Sequence, residues 1–327
     1  MTNFIAIGIG AGLVSALLTA VVTQGSTIAF VLYLLSPIPI LVAALGWDHR
    51  AGLVGALVGG VALAVAVDPV AGLGFAFASA LPAWWLAYLS LLGRQTPDGK
   101  MEWYPLGRLL AWIAGVASLT FLAAIALPHF DYATYRETAL QVAELAIRAQ
   151  TGTPATAPIP NIGDVPAQQA IEQFTVLLPV VAAAGFVLVY VVYLWLGARI
   201  VAISGRLARP WPFIPATTMP REAALVLAAA LVVAVLTSGF VGAFATALSA
   251  ALFMAFGLSG LAFVHDVSRG RSGRFLLLFG TYTLLLLSQF LVFVALSIIG
   301  IADTAFGLRG RFFANRPPTI TRKPPEE

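Results

Sequence analysis

Phe4-Ile-Ala-Ile-Gly-Ile-Gly-Ala-Gly-Leu-Val-Ser-Ala-Leu-Leu-Thr-Ala-Val-Val22 runs nineteen residues without a charge. That is about one bilayer's worth of helix, since a hydrocarbon core of about 30 Å takes about 20 apolar residues to cross. Further stretches of the same kind follow, at roughly 27–46, 51–67, 70–92, 107–128, 173–198, 222–239, 242–264 and 275–301. Hydrophobic residues make up 60% of the 327-residue chain and charged ones 10%, and the charges fall in the gaps. The expected fold is therefore all-α: one polytopic transmembrane bundle of eight or nine spans over residues 1–303, followed by a polar, basic and proline-rich disordered tail at 304–327. No basic residue precedes the first apolar run, so it reads as a retained span and not a cleaved signal peptide.

The formal net charge is +4, and 16 of the 18 basic residues are arginine. They sit in short connections between apolar blocks, where topology signals lie, so they give no reason to expect nucleic acid as a partner. The loops after spans two, four, six and eight carry eleven Lys and Arg, from Arg50 to Arg274; the alternate loops carry Arg136 and Arg148 alone. The expectation is a bacterial inner-membrane protein with a cytoplasmic N-terminus. Nine spans, however, would place Arg309, Arg311, Arg316, Arg322 and Lys323 outside. Either the ninth span doubles back near Gly280 or Ser288-Gln289, or one span does not cross, or a basic tail is translocated.

Two connections are long. Residues 129–172 form an extracytoplasmic insertion. Tyr132, Tyr135, Ala139, Val142 and Ala146 make an apolar stripe, which reads as an amphipathic helix on the outer membrane surface. A flexible linker with Pro154, Pro158, Pro160 and Pro166 follows. The second connection, Arg206 to Arg221, has four prolines that forbid a helix, with Trp211 and Phe213 as interfacial anchors.

Candidate chemistry is sparse. Cysteine is absent, which removes disulfides and thiolate sites. His49, His129 and His265 lie in different loops, and no hydrolase, metalloprotease, P-loop or dinucleotide motif occurs. The expectation is a protein that is not an enzyme and holds no metal or cofactor. Asp68 reads as a turn residue. Small residues recur every four positions at Gly8, Gly12, Ala16 and Ala20, a face for packing within the chain or for docking another membrane subunit. Ser36-Pro-Ile-Pro39 breaks span two near its middle, and broken helices line transporter sites. Pro37 and Pro39, with Tyr33, Tyr190 and Tyr193, are thus the candidate binding residues for an unidentified small molecule.

Three patterns carry a family resemblance. Ser36-Pro-Ile-Pro-Ile40 runs into Leu45-Gly-Trp-Asp-His-Arg-Ala-Gly52; Gly260-Leu-Ala-Phe-Val-His-Asp266 precedes a basic turn; Gly300-Ile-Ala-Asp303 is followed by Phe306 and Arg309. Through Trp47, Arg50, His265, Asp266, Asp303 and Arg309 the chain resembles the YybS-like bacterial membrane proteins, a domain of unknown function. It departs from them in the slim Ala305-Phe-Gly-Leu308 and in the length of 129–172. The resemblance implies kinship with the substrate-binding membrane subunits of energy-coupling-factor vitamin transporters, in which a small-residue stripe on the first helix docks a coupling subunit. The expected function is accordingly a transport-related solute-binding or uptake subunit without its own energy source. The alternative is a structural or assembly partner of other inner-membrane proteins. A lipid-directed enzyme using His265, Asp266 and Arg269 has the least support, because adjacent helical residues point about 100° apart.

Overall fold

The computed structural model describes residues 4–128 and 130–314, all helical apart from turns, loops and one small hairpin. His129, Arg316, Arg322 and Lys323 lie outside the described residues. The first half contains α1 (Phe4–Ala20), α2 (Thr27–Leu34), α3 (Ile38–Gly46), α4 (His49–Ala66), α5 (Pro69–Phe75) and α6 (Leu81–Ser90). A hairpin of β1 (Gly93–Gln95) and β2 (Met101–Trp103) leads to α7 (Leu106–Ala126), α8 (Tyr132–Thr151) and α9 (Ala167–Ile203). The chain closes with α10 (Arg221–Leu236), α11 (Gly239–Val267), α12 (Arg274–Phe306) and α13 (Leu308–Ala314). Among the described residues, seven helical units are long and apolar enough to cross a membrane: α1 with its 3₁₀ extension, α2–α3, α4, α5–α6, α7, α9 and α11.

Polar residues at the span ends start helices. Ser26 Oγ accepts from Ala29 N at 3.1 Å, Asp48 from Arg50 N at 2.8 Å and Asp68 from Ala71 N at 2.9 Å. Each satisfies an amide that the first helical turn leaves open. Asp68 is therefore a turn and cap residue, as its position before Pro69 implies. The hairpin is built on Thr96-Pro-Asp-Gly99, a turn sequence in which Gly99 takes φ 79°.

Ser36-Pro-Ile-Pro39 does split its span, into α2 and α3. A second irregularity, the wide π turn Ala76–Ala80 between α5 and α6, has a cause in sequence. Pro82 has no amide to give Ala78, four residues back. The Tyr190 hydroxyl donates to the Ala78 carbonyl instead, at 2.8 Å.

Close helix contacts rest on glycine. A Cβ at Gly8 would lie 2.6 Å from Ala51 O, and one at Gly12 would lie 2.5 Å from Gly55 O. The Gly8, Gly12, Ala16 face of α1 is thereby packed against α4 inside this chain, with all three residues buried. It does not face outward, and the docking reading of that stripe is corrected. What α1 turns outward is Ile5, Ile9, Leu13 and Leu17. α11 is the central helix of the second half, packing against α7, α9, α10 and α12 through its small residues, among them Ala247, Ala251 and Ala255.

α12 reverses direction. A straight helix of its 33 residues would be about 50 Å long. Yet Arg274 Nη1, at its start, donates to His265 O at 3.5 Å, and Arg309, just past its end, lies 3.3 Å from Asp266. The fold-back occurs at Ser288, whose φ and ψ are −121° and 29°. Its hydroxyl donates to the Leu284 carbonyl at 2.9 Å. The two limbs, Arg274–Ser288 and Leu291–Phe306, are each shorter than a bilayer crossing. The returning limb runs beside α11, with Gly300 against Phe256 O and Gly260 N. The end of α12 thus sits at the same end of the bundle as the arginine-rich loops.

Three further expectations are corrected. α8 packs on another helix, with Ala143 and Ile147 against Ala170 and Ile171 of α9. α9 is 37 residues long, about 55 Å, more than a bilayer core needs, so it carries α8 on its surplus length. The buried stripe is Ala139, Ala143 and Ile147, and Val142 is exposed. The proline segment after α8 is tied down, since Arg148 Nη1 donates to Pro154 O at 2.9 Å and Ala157 O at 2.8 Å. The packed domain also runs past 303, because α13 continues to Ala314 and Arg309 is buried.

Candidate functional site

A cleft of about 510 Å³ opens at the arginine-rich end of the bundle. Its walls come from α7 (Leu109, Ile113), α9 (Val191, Leu194) and α11 (Leu258, Leu261). Each helix turns a branched aliphatic row into the space, and close packing fails there because the Arg206–Arg221 connection, not a helix, closes the end. Trp195 and Tyr282 also line the opening, each about half exposed, at 49% and 48%.

The cap is the proline-rich connection. Its backbone cannot form a helix, so its carbonyls need other donors. Arg309 supplies them, giving Nη1 to Pro215 O at 2.6 Å and Nη2 to Thr217 O at 2.7 Å. The same guanidinium gives Nε to Asp303 Oδ2 at 2.8 Å and approaches Asp266 Oδ2 at 3.3 Å; the Arg309 amide donates to Asp303 Oδ1 at 3.0 Å. Asp303 is 4% exposed and Arg309 9%, so this is a buried ion cluster that joins α11, α12 and the cap. Three arginines also lie over aromatic rings at this end: Arg206 on Trp47 at 4.5 Å, Arg269 on Phe213 at 4.3 Å and Arg199 on Trp211 at 5.5 Å.

The polar groups in the cleft itself are few. Arg209 lines it and donates to the Ser90 carbonyl at 3.0 Å. Half-burial costs its charged form hydration and lowers its pKa from the ordinary arginine value. His265 and Tyr282 line it as well, with Nε2 and the hydroxyl 2.8 Å apart. No carboxylate is among the described lining residues.

The sequence-predicted residues divide between several places. Pro37, Tyr190 and Tyr193 do converge, but around a space of about 10 Å³, room for about one water. Tyr190 there donates to the Ala78 carbonyl and pairs with the Thr120 hydroxyl. Tyr33 stacks on Phe30, and Pro39 sits in the first turn of α3. A solute pocket beside the broken span therefore has no room in this structure. Asp266, Asp303 and Arg309 come together as one cluster, His265 joins Tyr282, Trp47 meets Arg206, and Arg50 is an exposed residue at the start of α4. Arg209, Trp195 and Tyr282 were not singled out from sequence. Only the run Arg209-Pro-Trp-Pro carried a signal, since a charged group set directly before two closely spaced prolines cannot be absorbed by a helix.

Among the described residues, no group of three or more His, Cys, Asp or Glu could hold a metal ion. No curated protein and no solved structure matches the chain. A family model does match, over residues 13–304, from the first apolar helix to the residue after Asp303. With six of the seven membrane-length helical units wholly inside that match and the first partly so, the chain belongs to the family described as Predicted membrane protein (DUF2232).

Proposed function

We propose that this membrane protein binds a small, largely apolar solute in the cleft between α7, α9 and α11, and that it has no energy source and no catalysis of its own. The observation that carries the reading is the cleft, whose volume of about 510 Å³ falls in the range of small-ligand sites, about 300–1,000 Å³. The lining favours binding over reaction, since it offers one histidine and no carboxylate among the described residues. Proton- and sodium-driven carriers place carboxylates along the pathway, so the same lining favours a subunit that does not couple to ions.

Orientation belongs to this proposal. The loops richest in arginine gather at the cleft end, and so do the tryptophans, from Trp47 to Trp211. By the positive-inside rule that end faces the cytoplasm of a bacterial inner membrane, with the N-terminus inside. The cleft is then the inner end of any transport path. A solute would reach it from the cytoplasm or the inner leaflet. The kinship with energy-coupling-factor subunits, through the YybS-like resemblance, remains part of the proposal. A coupling partner would need a surface other than Gly8 and Gly12, and the exposed Ile5, Ile9, Leu13 and Leu17 of α1 offer one.

The test is a thermal-unfolding screen of the protein in nanodiscs against apolar and amphipathic compounds, run in parallel with Leu261→Trp. The larger ring should fill the cleft and abolish stabilisation by any compound that raises the wild-type midpoint. Equal stabilisation of both proteins would overturn the assignment of the cleft.

A further inference from the structure

Resting on that reading of the cleft, we propose that its ligand is a single-tailed amphiphile with an acidic head, a carboxylate or a phosphate monoester, and that Arg209 reads the head. The walls fix the tail. Leu109, Ile113, Val191, Leu194, Leu258 and Leu261 offer no hydrogen-bonding side-chain atom. A ligand that is polar along its length would bury groups without partners there, at a cost of a few kcal/mol each. An aliphatic chain loses nothing and gains burial.

Arg209 fixes the head. A guanidinium carries five N–H donors, and among the described residues this one meets a single acceptor, the Ser90 carbonyl, and no carboxylate. It is half-buried at the cleft wall, so water does not fully compensate it. The contrast with Arg309 is direct: that side chain, at the same end, is answered by Asp303, Asp266 and two carbonyls. Asp266, the carboxylate nearest the cleft in sequence to His265, is engaged by Arg309 and is not among the lining residues. The cleft therefore carries the positive charge of Arg209 on its wall, and no carboxylate among its described lining residues balances it. A planar guanidinium with open donors matches a carboxylate or phosphate in two-pronged geometry. The half-exposed Trp195 and Tyr282 leave the lipid side open, so a tail can slide in from the inner leaflet while the head stays at the arginine level.

The experiment uses the full chain in phosphatidylcholine nanodiscs and displacement of a fluorescent fatty acid. Competitors are palmitic acid, hexadecyl phosphate, hexadecanol, hexadecyltrimethylammonium and inorganic phosphate. Palmitic acid and hexadecyl phosphate should compete at least tenfold better than hexadecanol, and the ammonium should compete worst. Shortening the acid should weaken binding by up to about fourfold per methylene removed. Arg209→Gln should erase the preference for acid over alcohol and leave hexadecanol unchanged, while Arg209→Lys, which keeps the charge, should retain part of it. Equal competition by acid and alcohol, or a preference that survives Arg209→Gln in a folded protein, overturns the headgroup assignment but leaves the cleft. Competition by inorganic phosphate as strong as by hexadecyl phosphate overturns the tail. Failure of every amphiphile to bind overturns this ligand class while leaving an apolar solute in the cleft to the compound screen; binding untouched by Leu261→Trp sinks the proposed function itself.

Discussion

Arg309 is the residue on which the arginine-rich end turns. It lies six positions beyond Asp303 in a stretch that composition alone assigns to a polar tail, yet it is buried and bonded to two carboxylates and two carbonyls. Truncating one member of a buried ion pair leaves the other charged, desolvated and alone, which costs about 3–5 kcal/mol. Arg309→Gln should therefore lower the unfolding midpoint in detergent sharply. Asp303→Asn combined with Arg309→Gln should recover a substantial part of that loss, because the stranded carboxylate is gone. A double variant no more stable than Arg309→Gln alone would show that the pair is not the source. Tyr190 makes the complementary point. It reads from sequence as a candidate ligand-binding tyrosine, and its hydroxyl is spent on a carbonyl that Pro82 leaves free. A polar residue inside a membrane span answers first to the backbone, since lipid offers no substitute donor.

Helices in lipid associate by close packing rather than by a hydrophobic force, so the glycine faces decide which pairs form. On α1, a Cβ at Gly12 would lie 2.5 Å from the α4 backbone, and one at Gly10, two residues away, would meet nothing within 4 Å. Gly12→Leu should push α1 off α4 and lower stability strongly. Gly10→Leu, on the lipid face, should leave the midpoint nearly unchanged, and its better helix propensity offsets the added side chain. Thermal unfolding of the two variants side by side checks this, and equal midpoints would refute the α1–α4 assignment. Periodicity showed that α1 has a small-residue face; it could not show what fills it, because a stripe of this kind suits a helix of the same chain or of another. α8 failed differently. Its true buried row, Ala139, Ala143 and Ile147, is offset from the sequence-drawn one by a single residue after Ala139, and its support is surplus length in α9 that no local pattern in α8 reveals.

At the scale of the whole molecule, the reversal of α12 removes the conflict between the span count and the basic tail. With α12 entering and leaving at one end, Arg309 and Arg311 stand with Arg269, Arg271 and Arg274. In the orientation proposed above, a green fluorescent reporter fused after Glu327 should fluoresce, and an alkaline phosphatase fused there should stay inactive; the opposite pair of results would overturn either that orientation or the reversal of α12. The apolar runs, their lengths and the arginine bias are properties of the chain read one segment at a time. The sequence by itself determined the membrane, the helices and most of their boundaries, because in lipid each segment must satisfy its own backbone and declares itself by its own composition. The cleft, the Arg309 cluster and the fold-back at Ser288 were decided only by the tertiary structure. Each joins residues far apart in sequence, such as Arg209 with Ser90 or Arg309 with Pro215, and such joining depends on which helix faces meet, which no single segment encodes.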